Sequence, residues 1–271
     1  MNPNKALWEK GDFTRVAAAL RESGEALVKD LGFGPGMKVL DLGCGDGTTA
    51  LPAARLGAEV LGVDIAANLV AAGNKRAAQA KLSNCRFQEG DASDLNALEN
   101  KSFDRVISIF GAMFAPHPDA VAREMVRVTR AGGRIVMGNW IPNDPTLIAQ
   151  ILKISSAYSP PPPEGFVSPM TWGVEGNVVE RFGAAGISKE DISFDRAAYT
   201  LHFPGSPSEF VDTFRRYYGP TMNAFDAAQK NGKSEVLRQE LETLFESQNK
   251  SLTAGATSIV ATYLRVTVQV R

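Results

Sequence analysis

Between Lys38 and Trp140 five short apolar runs alternate with stretches of helical pattern, and this rhythm constrains the fold more than any other feature of the 271-residue chain. The runs are KVLDL (38–42), EVLGVD (59–64), CRFQEGD (85–91), FDRVISIF (103–110) and GRIVMGNW (133–140). Most are nearly continuous in apolar character, the mark of strands covered on both faces. Residues 48–56, 66–81 and 119–130 read as helices, the last with Val121, Met125 and Val128 on one face. Gly132 and Gly133 are expected to end it before the fifth strand. Strands and helices in this order predict a parallel α/β sheet with helices on both faces, and right-handed crossovers make it doubly wound.

The second half breaks the rhythm. YSPPPPEGF (158–166) holds four consecutive prolines and is expected to form a stiff loop. Residues 191–203 read as an interrupted strand and 204–256 as mostly helical. SPSE (206–209) is a helix start, with Ser206 as N-cap, Pro207 behind it and Glu209 closing a capping box. In YLRVTVQVR (263–271) apolar and polar residues alternate strictly, which predicts an antiparallel edge strand with one solvated face. The segment before Met37 is helical in pattern and lies outside the core repeat. The expected division is an N-terminal helical segment (1–36), a core (37–203), a helical cap insertion (204–256) and a final core strand (257–271).

Lys+Arg number 29 and Asp+Glu 30, so the chain lacks the basic surplus of a nucleic-acid binder. No apolar run reaches the ~20 residues a membrane helix needs, and no leader pattern opens the chain, so a cytoplasmic location without stable membrane insertion is expected. Two cysteines and two histidines make neither a disulfide framework nor a metal site expected.

Chemistry concentrates in VLDLGCGDGTTA (39–50), a strand followed by a glycine turn. Glycines at a strand's carboxyl end let backbone amides approach a ligand, and Asp64, closing the second strand 21 residues after Gly43, suits the hydroxyls of a ribose. Any adenosine cofactor fits so far. A dinucleotide turn would carry glycine where Thr48 stands, and Asp41 would oppose a pyrophosphate but favour a cationic amino group. Ribose, adenine and ammonium together describe S-adenosylmethionine. Asp41 would serve equally as an N-cap-like partner of the loop amides.

The chain resembles the class I S-adenosylmethionine-dependent methyltransferases, among them the ubiquinone/menaquinone-type and small-molecule group. VLDLGCGDGTTA, GVDIA (62–66), EGDASDL (89–95), FDRVISIFGAMF (103–114) and EMVRVTRAGGRIVM (124–137) resemble that family's motifs in order, with Ala131 where the family usually has proline. The resemblance implies a Rossmann-like sheet of seven strands, the last antiparallel, with N-terminal helices and a helical cap between the last two strands. By resemblance Asp41 and the backbone at Gly43 hold the methionine amino end, Gly45 in the same turn also binds the cofactor, Asp64 holds the ribose, Ile65 the adenine face, Asp91 and Ala92 the adenine edge, and Ile109 lies near the methionine. Trp8 and Phe13 are expected over the cofactor, where aromatic faces suit a sulfonium, or in ordinary helix packing.

The resemblance also implies methyl transfer to an acceptor and release of S-adenosylhomocysteine. Phe114, Trp172, Tyr217 and Tyr218 are the expected acceptor residues, pointing to a small, largely apolar or aromatic molecule. His117, in FAPHPD after the fourth strand, is the candidate general base, or an exposed loop residue. SIFGAMF stands where methylases of exocyclic base amines carry an Asn/Asp-Pro-Pro-aromatic signature, which speaks against nucleic acid. A nicotinamide-dependent oxidoreductase and a non-catalytic S-adenosylmethionine-binding protein are the alternatives. Oligomeric state is not legible.

Overall fold

A computed structural model describes Asn2 and residues 4–271. Its strands are β1 (Lys38–Leu42), β2 (Glu59–Asp64), β3 (Cys85–Glu89), β4 (Phe103–Ile109), β5 (Thr129–Trp140), β6 (Ile192–Phe203) and β7 (Thr257–Gln269). They form one seven-stranded sheet in the order β3-β2-β1-β4-β5-β7-β6. Strands β1 to β5 pair in parallel, and β7 runs antiparallel to both β5 and β6. This is the doubly wound α/β sheet expected, its last strand antiparallel.

Helices α1 (Lys5–Glu9), α2 (Thr14–Ala17) and α3 (Arg21–Leu31) precede the sheet. Helices α4 (Ala50–Arg55), α5 (Ala67–Gln79) and α6 (Pro118–Val128) are crossovers. Helices α7 (Leu147–Tyr158) and α8 (Glu175–Ala184) lie between β5 and β6, and α9 (Pro207–Tyr217), α10 (Gly219–Lys230) and α11 (Ser234–Gln248) between β6 and β7.

The apolar strand runs follow from burial on both faces. Val39, Ile107 and Val136 point to one side, packing with Val28 and Ala50, while Leu40, Val106 and Ile135 point to the other. All six strand side chains are at most 1% exposed, and each such burial contributes roughly 1.5–3 kcal/mol. The Ser206 capping box forms as read: the Ser206 hydroxyl accepts the Glu209 amide and the Glu209 carboxylate accepts the Ser206 amide. Helix α7 packs on α10 and α11, so residues 147–158 join the insertion in covering the core. Among the described residues no helix is long and apolar enough to cross a membrane.

Three strand expectations are corrected. Helix α6 ends at Val128, and Thr129 already begins β5. The double glycine lies inside that strand, in an irregularity where the β4 register jumps from Phe103↔Thr129 to Arg105↔Arg134. Strand β7 is not at the edge but sits between β5 and β6, and β6 takes the edge. Its alternation reports a half-covered face. From Leu264 onward the even positions are buried, whereas from Thr257 to Tyr263 the odd ones are, so the covered face changes mid-strand. Strand β6 is continuous rather than interrupted.

Candidate active site

A cleft opens at the carboxyl ends of β1, β2 and β4. Its floor is the turn after β1. Gly43 has φ +63° and a Cβ there would lie 2.5 Å from the Gly111 Cα, so the β1 and β4 turns touch backbone to backbone. Gly45 has φ +54° and nothing within 4 Å of its missing side chain, which leaves this turn open to the cleft. The turn is pinned from below. Asp46, 1% exposed, is held between Arg21 Nη2 at 2.8 Å and Arg76 Nη1 at 3.1 Å. The Ser108 hydroxyl donates to the Leu42 carbonyl at 2.7 Å and accepts the Ala112 amide at 2.8 Å, tying the two turns together.

Asp64 closes β2 at the cleft wall. Its Oδ2 accepts the Gly45 amide at 2.8 Å and its Oδ1 the Ala66 amide at 2.9 Å. Burial raises its pKa above the usual carboxylate value, against these amide bonds. Asp91, after β3, accepts the Ser93 hydroxyl at 2.7 Å and the Asn2 side-chain amide at 2.8 Å. Partial burial works to raise its pKa, but these hydrogen bonds hold it below the ordinary carboxylate value.

After β4 the chain reverses at Phe110, whose φ of +63° costs a non-glycine residue on the order of 1–3 kcal/mol. Its ring stacks on Trp140 at 3.7 Å and 9°, and its amide donates to the Gly138 carbonyl at 2.9 Å, which holds the reversal. The reversal brings both Ile109 and Gly111 to the wall. The roof is N-terminal. Trp8 meets Phe114 at 5.0 Å and Phe13 at 5.8 Å, edge to face. The segment is fastened by Asn4 Nδ2 to the Phe114 carbonyl at 2.6 Å, Lys5 to Glu89 at 2.7 Å, and the Ala67 amide to Glu9 at 3.0 Å.

A family model described as "Methyltransferase domain" matches residues 33–178, more than half of the chain. The chain belongs to that family. It is similar to an uncharacterised protein of Mycobacterium tuberculosis, 34% identical over 226 residues that cover 82% of this chain and 79% of that one. It is also similar to a ubiquinone biosynthesis O-methyltransferase of Albidiferax ferrireducens, 36% identical over 98 residues, 36% of this chain and 39% of the relative. Among solved structures, a phosphoethanolamine N-methyltransferase 2 of Haemonchus contortus, in complex with phosphomonomethylethanolamine and S-adenosylhomocysteine, superposes with a TM-score of 0.57 at 17% identity, covering 92% of this chain and 53% of that one. That likeness is one of fold. The family's methyl donor is S-adenosylmethionine.

The methyltransferase cleft gathers most of the residues expected there. Trp8, Phe13, Gly43, Gly45, Asp64, Ile65, Asp91, Ala92, Ile109 and Phe114 all stand on its wall. Asp41 does not. It lies beneath the turn, 1% exposed, where its Oδ2 accepts the Thr49 hydroxyl at 2.5 Å, and Thr49 is the residue on the wall. Thr49 immediately precedes α4. His117 is exposed at the start of α6 and off the wall, because Pro118 turns the chain into the helix there. Trp172 is buried elsewhere, under the Arg181 guanidinium at 4.6 Å and against Phe182. Tyr217 lies outside the wall, its carbonyl against Gly11. Tyr218 backs the roof, 6.0 Å from Trp8 and 6.1 Å from Phe13, without reaching the cleft.

Thr49, Phe110, Leu20, Asn4 and Tyr199 were not singled out from the sequence and stand on the wall. Only Thr49 had a signal, a hydroxyl at a helix start eight residues after a strand carboxylate. The other four arrive from elements whose position no local pattern reports.

Proposed function

We propose that this methyltransferase transfers the methyl group of S-adenosylmethionine to a small, largely apolar or aromatic acceptor, with the donor lying along the cleft from β3 to β4. The buried Asp64 carboxylate beside the open Gly45 turn carries the reading. The donor set fits the group: Asp64 for the ribose hydroxyls, Ile65 for the adenine face, Asp91 and the Ala92 amide for its edge. The Asp41 charge reaches the methionine ammonium through Thr49, whose hydroxyl is spent on Asp41 and whose oxygen still has a lone pair for the cleft. When bound, the cofactor supplies a methyl carbon already activated by its sulfonium, for displacement in line with the acceptor's attacking atom.

The chain's own residues align and dehydrate. Trp8, Phe13 and Phe114 close an aromatic roof that excludes water, and alignment of this kind supplies on the order of 7–11 kcal/mol. No Lys, Arg or His stands on the wall among the described residues, so we assign His117 no role as base and let orientation carry the catalysis. An acceptor that attacks as a neutral amine or with an already acidic hydroxyl suits such a wall. Residues 1–36 form the cover, 37–203 the core, 204–256 the cap assisted by α7, and 257–271 the final strand. We place the enzyme in the cytoplasm and assign it no nucleic-acid substrate, in keeping with its balanced charge and two free cysteines.

The test is transfer of labelled methyl from S-adenosylmethionine to a panel of phenols, amines, quinols and thiols. Label is expected on an apolar or aromatic member and absent with Asp64→Ala. Label found only on nucleic acid or on strongly charged acceptors overturns the acceptor class.

A further inference from the structure

Tyr199 is a buried polar side chain on the cleft wall that the donor-binding residues described above leave unused. It comes from β6, is 1% exposed, and stands on the cleft wall with no hydrogen-bond partner for its hydroxyl. A buried hydroxyl without a partner is unfavourable in the empty protein, and a ligand atom is what relieves it. Its ring is fixed edge to face on Phe110 at 5.0 Å and Tyr263 at 5.6 Å, so the hydroxyl is not free to swing toward solvent. Its strand is fastened to α3 by Ser23, whose hydroxyl donates to the Thr200 carbonyl at 3.0 Å and accepts the Thr200 amide at 2.9 Å.

Position along the cleft decides what the hydroxyl meets. Asp91 enters from β3, at one edge of the sheet, and Tyr199 from β6, at the other. The Tyr199 ring packs on Phe110, the residue that follows β4 on the cleft wall, so a ligand with its nucleoside held at β2 and β3 presents its far end, on the β4 side, toward Tyr199. In S-adenosylmethionine that end is an amino acid with a free carboxylate. The wall offers this carboxylate no cationic side chain among the described residues, only neutral donors. Burial, with the charge on Asp41 adding, holds the Tyr199 phenol above its ordinary pKa, so it remains an O–H donor at working pH.

We propose that the Tyr199 hydroxyl donates a hydrogen bond to the amino-acid carboxylate of the methyl donor, making β6 a cofactor-binding strand. The inference rests on the donor lying along the cleft as described above.

The test is calorimetric titration of wild type and Tyr199→Phe with S-adenosylhomocysteine and with 5′-methylthioadenosine, which shares the nucleoside and sulfur but lacks the amino-acid end. Tyr199→Phe is expected to weaken S-adenosylhomocysteine about tenfold or more, as for a hydrogen bond to a charged group, and to change 5′-methylthioadenosine less than about twofold. The ligand-free variant is expected to melt no lower than wild type, since the hydroxyl it loses has no protein partner. Equal weakening of both ligands, or a lower melting temperature without ligand, makes Tyr199 a structural residue and overturns the proposal. Unchanged S-adenosylhomocysteine affinity overturns it as well. Failure of both nucleosides to bind wild type instead overturns the donor assignment beneath it.

Discussion

Asp41→Asn is the sharpest perturbation of the buried turn. The Asp41 carboxyl is 1% exposed, and burial pushes its pKa from 3.8 to about 7 against the hydrogen bond from Thr49, with the charge on Asp64 adding. In the unfolded chain it ionises at its ordinary value. Between about pH 4 and pH 7 the unfolded chain has released this proton and the folded chain has kept it. Folding stability from this group is therefore fully present below pH 4 and is lost as pH rises through 7. The loss above pH 7 amounts to about 4 kcal/mol. Asparagine stays neutral at every pH and keeps an oxygen for Thr49, but it turns an amide toward the Ala50 N–H, which costs about 1 kcal/mol. The variant is expected to gain about 3 kcal/mol at pH 8, or roughly 5–10 °C in melting temperature, and to be about 1 kcal/mol less stable than wild type at pH 4. Thermal melts of both proteins from pH 4 to pH 8 read this directly. A difference between the two that stays constant across that range refutes the reasoning. The same variant should bind S-adenosylhomocysteine more weakly at pH 8, because the charge relayed through Thr49 is gone.

Two further outcomes follow from the wall geometry. Gly111→Ala puts a methyl group 2.6 Å from the Gly43 Cα, between two backbones that cannot yield like side chains, so stability should fall by about 1–3 kcal/mol and S-adenosylhomocysteine affinity about tenfold, read by melting and calorimetry. His117→Ala should keep turnover within about twofold on whichever acceptor takes label, since removing an exposed side chain off the wall leaves the transition state's contacts intact; loss of turnover with a pH profile shifted near neutrality would restore it as a base.

β1, β2 and β4 are legible to within one residue because burial on both faces writes a near-continuous apolar run, whereas β3, an edge strand in which only Cys85 and Phe87 are buried, ends two residues before its expected limit. The sequence shortens β5 because its entry is an irregular stretch through Arg130 to Gly133, where polar and glycine residues look like a loop. The sequence puts β7 at the edge because alternation reports which face is covered, not which strands lie alongside. The same distinction governs the site. Gly43, Gly45, Asp64 and Asp91 stand at strand ends, and in a parallel sheet strand ends meet at one cleft, so local motifs locate them. Tyr199, Leu20 and Asn4 reach that cleft through tertiary packing and leave no local trace. Trp172, in the core segment before β6, and Tyr217 and Tyr218, in the cap, are expected at the cleft and stand off its wall, because an aromatic residue packs somewhere apolar without the sequence saying against which wall.

The central claim is that the glycine turn and Asp64 were built for an amino-acid nucleoside. Calorimetric titration of wild type and Asp64→Ala with S-adenosylhomocysteine and with NADH tests it most directly. Micromolar binding of S-adenosylhomocysteine to wild type, its loss in Asp64→Ala and no heat with NADH are predicted. Binding of NADH without S-adenosylhomocysteine, or undiminished S-adenosylhomocysteine affinity in a folded Asp64→Ala variant, contradicts it.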